Sequence, residues 1–262
     1  MTNKKISVLS LFDGMSCGQI ALEKANIKYD NYFASEIDKY AIKVTQSNYP
    51  NTIQLGDIIQ IKGKDLPKID ILMGGSPCQD LSRAKTNGRG LRGNKSGLFW
   101  EYARLFKEIK PKYFLLENVR MKWRYQDIIS EQLSVEPVMI NSNKFVCQNR
   151  ERYYWTNISI DALPKKLGWK QQYYQWRRTY FRTNKSGACP TLTANMGTGG
   201  HNVPLHSKNL KDKLTPLECE RLQAIPDDYT KGVSNARRYK MIGDGWTIDV
   251  IVHILKNLLG RL

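Results

Sequence analysis

Four short, mostly apolar runs, Ile6–Leu11, Tyr32–Ser35, Ile69–Met73 and Tyr113–Leu116, each end within two residues of a glycine or a carboxylate. That pattern constrains the fold more than any other feature. Runs of this length without regular polar alternation are strands covered on both faces. Helical stretches separate them. A glycine turn leads into Cys17–Ala25, a second helix runs from Asp38 to Asn48, and Leu98, Tyr102, Leu105, Phe106 and Ile109 recur at helical spacing over Leu98–Ile109. Strand–helix alternation predicts a doubly wound α/β sheet. Ligands of such sheets bind outside the carboxyl ends of the strands, so the residues that follow each run are where chemistry is to be sought.

After the first run stands LSLFDGMSCG, residues 9–18. Asp13-Gly14, with Gly18 four residues on, would bring backbone close to a ligand at a helix N-terminus; an ordinary strand-to-helix turn reads as well. Without GxGxxG, a nicotinamide or flavin dinucleotide is not indicated. Glu36 follows the second run, where a carboxylate can accept hydrogen bonds from ribose hydroxyls, and Asp57 in LGDI could accept from an adenine amine. Each alone reads as a solvated loop acid; with the glycine turn they describe an adenine nucleoside site. After the third run, MGGSPCQDLS holds Cys78 in a tight turn, either as a nucleophile whose pKa a nearby cation lowers or as a small buried hydrophobe. Residues 80–97 then carry four glycines and Arg83, Lys85, Arg89, Arg92 and Lys95 against Asp80 alone, the composition of a mobile lid over a polyanion. After the fourth run, Glu117 in LLENVR could donate a proton to a ring nitrogen if buried, or simply start a helix. In QNRER, strand alternation would point Gln148, Arg150 and Arg152 to one face, to clamp a phosphate or an oxygenated base or to form surface salt bridges.

Beyond Trp155 the character changes. Residues 162–211 contain no Asp or Glu, where average usage would place about four or five, yet hold nine Lys/Arg and the aromatics Trp169, Tyr173, Tyr174, Trp176, Tyr180 and Phe181. Most of those rings are expected to form a small core of their own. Thr215–Gln223 reads as a helix opened by Thr-Pro with Glu218 at capping-box spacing, and Ile248–Leu259 as an apolar helix. The division expected is 1–160, 161–213 and 214–262. Most of the formal charge of +17 lies in 80–97 and 162–211, which favours a polyanionic partner. A disordered polycation is excluded by 41% hydrophobic residues. No apolar run reaches the roughly 18 residues of a membrane span, and the first residues read as a buried strand and not as a signal peptide. Five scattered cysteines form neither a disulfide framework nor a zinc pattern, which fits a reducing cytosol.

FDGMSCG, Glu36, the Gly-Asp at 56–57, GGSPCQ, ENV, QNRER and a terminal GDGW, in this order, resemble the DNA (cytosine-5) methyltransferases from about Val8 to Leu255. Residues 177–205 are similar to the target-recognition segment of bacterial and phage members, and the compact lengths to small phage-encoded enzymes and the vertebrate de novo subgroup. The resemblance implies a Rossmann-like S-adenosylmethionine-dependent methyltransferase sheet with a small target-recognition domain at 161–213 and C-terminal helices returning to the catalytic domain. It implies that a target cytosine is flipped out of duplex DNA, that Cys78 attacks C6, that Glu117 stabilises the protonated N3, and that Arg152 or Arg150 holds the exocyclic oxygen. The methyl group of S-adenosyl-L-methionine would pass to C5, leaving S-adenosyl-L-homocysteine, with no metal.

The cofactor would lie across Phe12, Asp13, Gly14, Met15, Ser16, Cys17 and Gly18. Glu36 with Ile37 would serve the ribose, Asp57 with Ile58 the adenine, Pro77 and Leu98 would line the pocket, and Asp244, Gly245 and Trp246 would close it. DNA would meet Gln79, Ser82, Arg83, Lys85, Arg89 and Arg92 on one side. Gln148, Arg177, Arg178, Arg182, Lys185, Thr191 and Gly199 would meet it on the other. The family usually carries Asn where Asp244 stands, so this carboxylate must point away from the methionine carboxylate for the cofactor to bind. The short recognition segment implies a short target. The implied setting is a monomer acting on double-stranded DNA in the cytoplasm of a bacterium or phage host, for restriction-modification or phage self-protection. A catalytically weak DNA-binding accessory relative and an RNA cytosine-5 methyltransferase are the alternatives.

Overall fold

A computed structural model describes residues 6–79, 81, 89–93, 95–165, 168, 171–198 and 201–261. Ser82, Arg83, Lys85 and Gly199, expected at DNA, and the ring of Trp169 lie outside the described residues.

The chain alternates as its pattern predicts: β1 (Ser7–Leu11), α1 (Cys17–Lys24), β2 (Asn31–Ser35), α2 (Lys39–Asn48), β3 (Ile53–Gln54), β4 (Ile71–Gly75), α3 (Phe99–Ile109), β5 (Tyr113–Val119), α4 (Trp123–Leu133), β6 (Val138–Asn141), β7 (Gln148–Asn149) and β8 (Glu151–Thr156). One sheet takes the order β3-β2-β1-β4-β5-β8-β6. β3, β2, β1, β4 and β5 pair in parallel, and β8 runs antiparallel to both β5 and β6. Successive residues of each strand face opposite layers. Val8, Ile71, Met73 and Leu115 join one hydrophobic cluster with α1, while Leu9, Leu11, Leu72, Phe114 and Leu116 join another with α3 and α4. Asp38 caps α2 by accepting a hydrogen bond from the Tyr40 amide.

The second half adds β9 (Tyr174–Trp176), β10 (Phe181–Thr183), β11 (Cys189–Pro190) and β12 (Val203–Leu205). β9 is central in an antiparallel sheet between β10 and β12, and β11 pairs in parallel with β7. Tyr173 is buried and Trp176 packs on Phe181 with ring centroids 4.9 Å apart, whereas Tyr180 is exposed. Then come α5 (Pro216–Leu222), α6 (Asn235–Asp244) and α7 (Ile248–Leu255). Thr215 and Glu218 form the expected capping box. The expected helix to Leu259 ends as an α-helix at Leu255 and closes in a 3-10 turn over 256–258. α7 packs on α1 in the first cluster, which returns the chain's end to the glycine turn after β1.

One expectation fails in the QNRER segment. It is not a single strand: β7 leaves to pair with β11, and β8 begins at Glu151 in the main sheet. Gln148 and Arg150 are therefore buried between layers, and only Arg152 reaches the site.

Candidate active site

Three strand ends converge. β4 and β5 stay in register to Gly75 and Glu117, so the turn carrying Cys78 and the Glu-Asn-Val segment leave the sheet side by side. Asn118 locks them together, its amide donating to the Ser76 carbonyl at 3.1 Å and hydroxyl at 2.9 Å. β8 brings in Arg152, whose Nε lies 2.8 Å from Glu117 Oε1, with both side chains largely shielded. Trp246 completes the wall. A Cβ on Gly75 would stand 2.9 Å from its Nε1 and 3.3 Å from Glu117 Oε2, so only glycine allows that approach. Pro77 and Cys78 are half-buried here, and Gln79 is exposed. Burial pushes the Cys78 thiol up; Arg152 pulls it back and Glu117 adds to the rise. Cys78 thus lies within electrostatic reach of both a guanidinium and a carboxylate.

Arg150 has a different job from the one expected. Its guanidinium is buried and donates to the carbonyls of Leu192, Gly243 and Gly245 at 2.9–3.2 Å. Burial lowers its pKa to about 10, and Arg152 contributes in the same direction. It joins β8, the segment after β11 and the turn after α6. Gln148, expected at DNA, is likewise internal: its amide donates to the Leu222 carbonyl and Gln223 Oε1 at 3.0 Å and accepts from the Leu192 amide at 3.0 Å. Thr191 donates to the Asn149 carbonyl at 2.7 Å. Of the two arginines, Arg152 is the one beside Glu117.

The nucleoside-binding expectation divides by burial. Phe12 and Gly14 are partly exposed, whereas Met15, Ser16, Cys17 and Gly18 are buried beneath them. Gly14 has φ +60°, and a Cβ there would meet nothing within 4 Å, so the turn is open on its outer side. Its amide donates to Glu36 Oε2 at 2.8 Å, and Glu36 Oε1 accepts from the Ile37 and Asp38 amides at 2.7 and 2.8 Å. Three backbone donors therefore fix one carboxylate at the rim, next to an Ile37 side chain that is 73% exposed. Asp57 is exposed and caps a short 3-10 turn through the Ile59 amide at 3.1 Å, above the buried Ile58. Leu98 is half-buried at the start of α3. A glycine turn, a rim acid, an exposed apolar flank and a second acid therefore follow β1, β2 and β3 in turn.

Asp13 points the other way. It is buried, accepts from the Tyr32 hydroxyl at 2.8 Å, and its second oxygen has no hydrogen-bond partner. Burial pushes this carboxyl up from 3.8 to about 6, against the lowering effect of Tyr32 and with Glu36 adding to the rise. The folded chain therefore holds the proton between about pH 4 and 6, where the unfolded carboxyl has lost it. This group makes the fold more stable as pH falls through 6 and costs stability above it. Asp13→Asn, which removes the charge, is expected to stabilise the protein by roughly 1–2 kcal/mol at pH 8, with the difference shrinking below about pH 6 and closing near about pH 4. Urea unfolding at the two pH values checks this; a less stable variant at pH 8 would contradict it.

Asp244, expected to close the cofactor pocket, pairs with Lys240. Its Oδ2 lies 3.5 Å from Lys240 Nζ, which is also 3.1 Å from Asp38 Oδ2. Burial would lower the Lys240 ammonium, but Asp244 and Asp38 outweigh it and raise it. Lys240 escaped the sequence reading, although its i, i+4 spacing from Asp244 was the available signal. Gly245 packs on Met15 and Cys17, a Cβ there lying 2.9 Å and 3.1 Å from Cε and Sγ, so the closing turn seats directly on the glycine loop. Outside this centre Arg89, Arg92, Arg178, Arg182 and Lys185 are exposed and Arg177 half-buried; among the described residues no carboxylate pairs with any of them. Among the described residues there is also no cluster of His, Cys, Asp or Glu that could hold a metal, and no helix long and apolar enough to cross a membrane. All five cysteines are free.

The parallel-dominated sheet, with its site at the carboxyl edge, is the S-adenosylmethionine-dependent methyltransferase fold. It superposes on the Entamoeba histolytica methyltransferase EhMeth with a TM-score of 0.77, at 14% identity over 99% of either chain. It superposes on the S. pombe Dnmt2 methyltransferase with a TM-score of 0.75, at 17% identity over 98% and 99% of the two chains. The chain belongs to the C-5 cytosine-specific DNA methylases, whose family model matches residues 6–162 and 124–260. It is 32% identical to the type II methyltransferase M.Bsp6I of Bacillus sp. (strain RFL6) over 97% of this chain and 98% of that one. It is 30% identical to the type II methyltransferase M1.ScrFI of Lactococcus lactis subsp. cremoris over 97% and 78%. The orphan methyltransferase M.SPRI of Bacillus phage SPR is 36% identical over 62% of this chain and 40% of its own. The protein is accordingly a DNA cytosine-5 methyltransferase, and family and fold imply a methyl donor of the S-adenosylmethionine type.

Proposed function

We propose that the enzyme methylates a cytosine flipped out of double-stranded DNA, using Cys78 as nucleophile, Glu117 and Arg152 as the clamp on the base, and S-adenosyl-L-methionine as donor. The observation that carries this reading is the Glu117–Arg152 pair beside the Cys78 turn, 2.8 Å apart and shielded from water. When bound, the donor supplies an electrophilic methyl group and leaves as S-adenosyl-L-homocysteine. Phe12, Gly14, Glu36, Ile37 and Asp57 would hold its adenosyl part, with Pro77, Leu98 and Trp246 as walls. Cys78 gives its proton to solvent and its sulfur adds to C6, opening the C5–C6 double bond. N3 gains a proton and donates a hydrogen bond to Glu117, while Arg152 donates to the exocyclic oxygen; both contacts strengthen as charge develops on the ring. C5 becomes nucleophilic and gains the methyl group. Solvent takes the C5 proton, the C6–sulfur bond breaks to release Cys78 as thiolate, and N3 gives back its proton as the aromatic ring is restored.

Residues 1–160 would form the catalytic unit, 161–213 the recognition unit, and 214–262 the returning helices. The exposed cations Arg89 and Arg92 would face the duplex from one side and Arg178, Arg182 and Lys185 from the other, neutralising phosphates. A monomer in the cytoplasm of a bacterium or a phage host suits this assignment.

The test is incubation with labelled donor and either duplex DNA or transfer RNA, followed by bisulfite sequencing of DNA from cells that express the protein. Label in duplex DNA at a short recurring site is expected. Label confined to transfer RNA would overturn the substrate assignment.

A further inference from the structure

We propose that Lys122, Trp123 and Arg124, at the root of α4, form a separate DNA contact that grips the duplex backbone beside the catalytic turn. The proposal rests on the reading of the site as a duplex-DNA methyltransferase centre. Because β4 and β5 stay in register to Gly75 and Glu117, the Cys78 turn and the segment after Val119 leave the sheet as neighbours. The two are also packed together further out. Gly90, at φ +61°, faces the Tyr125 ring so closely that a Cβ would stand 2.1 Å from it. The Arg89–Arg92 turn therefore seats on the first turn of α4, and the two basic segments make one surface.

That surface has the chemistry of a backbone contact. Trp123 is 75% exposed, more than any other large hydrophobic residue among those described. A bare indole at this position gains by covering a deoxyribose or a base edge. Lys122 and Arg124 are exposed, and among the described residues neither has a carboxylate within 4 Å. Arg120 has one, Glu151 at 3.4 Å, and Asp127 lies a turn further along α4. Arg124 is held in place: its guanidinium lies 4.8 Å over the Tyr125 ring and donates to the Tyr125 hydroxyl at 2.9 Å. No side chain caps α4, and the Tyr125 and Gln126 amides donate to the Lys122 carbonyl at 3.0 and 3.3 Å, so the contact rests on the side chains. Such a contact positions the duplex without reading its sequence.

The test measures duplex binding by fluorescence anisotropy between 50 and 200 mM salt, with S-adenosylhomocysteine present, for wild type, Lys122→Gln/Arg124→Gln and Trp123→Ala. The double variant is expected to bind about tenfold more weakly and to flatten the plot of log K against log salt by about 2, since each neutralised phosphate contributes about 0.9. Trp123→Ala is expected to weaken binding about threefold or more with the slope unchanged. Melting temperature and the methylated site should stay as in wild type. Folded variants with wild-type affinity and slope would overturn this contact alone, whereas a wild-type protein that binds no duplex would overturn it together with the reading it rests on. A change in self-association by Trp123→Ala with DNA binding intact would assign the patch to a protein contact and overturn it too.

Discussion

Cys78→Ala is expected to abolish methyl transfer, with a loss of at least about 10⁴-fold, while duplex and donor binding survive. The size of the effect follows from the chemistry. C5 of cytosine is a poor nucleophile until a group adds at C6, and none of the other four cysteines can substitute: Cys17, Cys189 and Cys219 are buried, and Cys147 lies in the segment before β7. The half-buried Cys78 is the thiol within electrostatic reach of Arg152 and Glu117. Single-turnover transfer with labelled donor measures the loss. Activity within tenfold of wild type would remove Cys78 from the mechanism.

Arg150→Met carries the largest expected cost in stability, about 3–5 kcal/mol. It leaves the carbonyls of Leu192, Gly243 and Gly245 buried without their donor, and an unsatisfied buried group costs roughly 1–3 kcal/mol. For a chain of this size that corresponds to a fall in melting temperature on the order of 10 °C. Activity should fall with it, because these carbonyls tie the recognition segment and the closing turn to the strand that carries Arg152. Arg150→Lys keeps the charge but not the planar fork, and should lie between the two. Calorimetry checks the series; a methionine variant as stable as wild type would show that the three segments hold together without the clamp.

The fold was legible because burial on both faces writes strands as unbroken apolar runs, and because the residues that stop those runs are chemically unusual. Glu36, Cys78 and Glu117 could be picked out for that reason. What periodicity could not supply was side-chain direction within irregular segments. Gln148, Arg150 and Arg152 alternate in sequence, but the chain changes sheets between Asn149 and Glu151, so two of the three turn inward. Asp13 likewise stands in the glycine turn yet points at Tyr32, because the packing of β2 beneath that turn decides its rotamer. Lys240 reaches both Asp38 and Asp244, and its contact with Asp38, 202 positions away, is one that no local pattern encodes. The exposed Trp123 stands out only once the burial of its neighbours is known.

The central claim is that Cys78 adds covalently to a cytosine in duplex DNA. Fluorine at C5 cannot leave as a cation, so a duplex with 5-fluorocytosine at the target should halt the reaction after methyl transfer, with the enzyme still attached. Peptide mapping by mass spectrometry should then find one denaturation-resistant adduct, on the peptide containing Cys78, formed only when S-adenosylmethionine is present. Active enzyme that forms no adduct, or an adduct on another residue, would contradict the account.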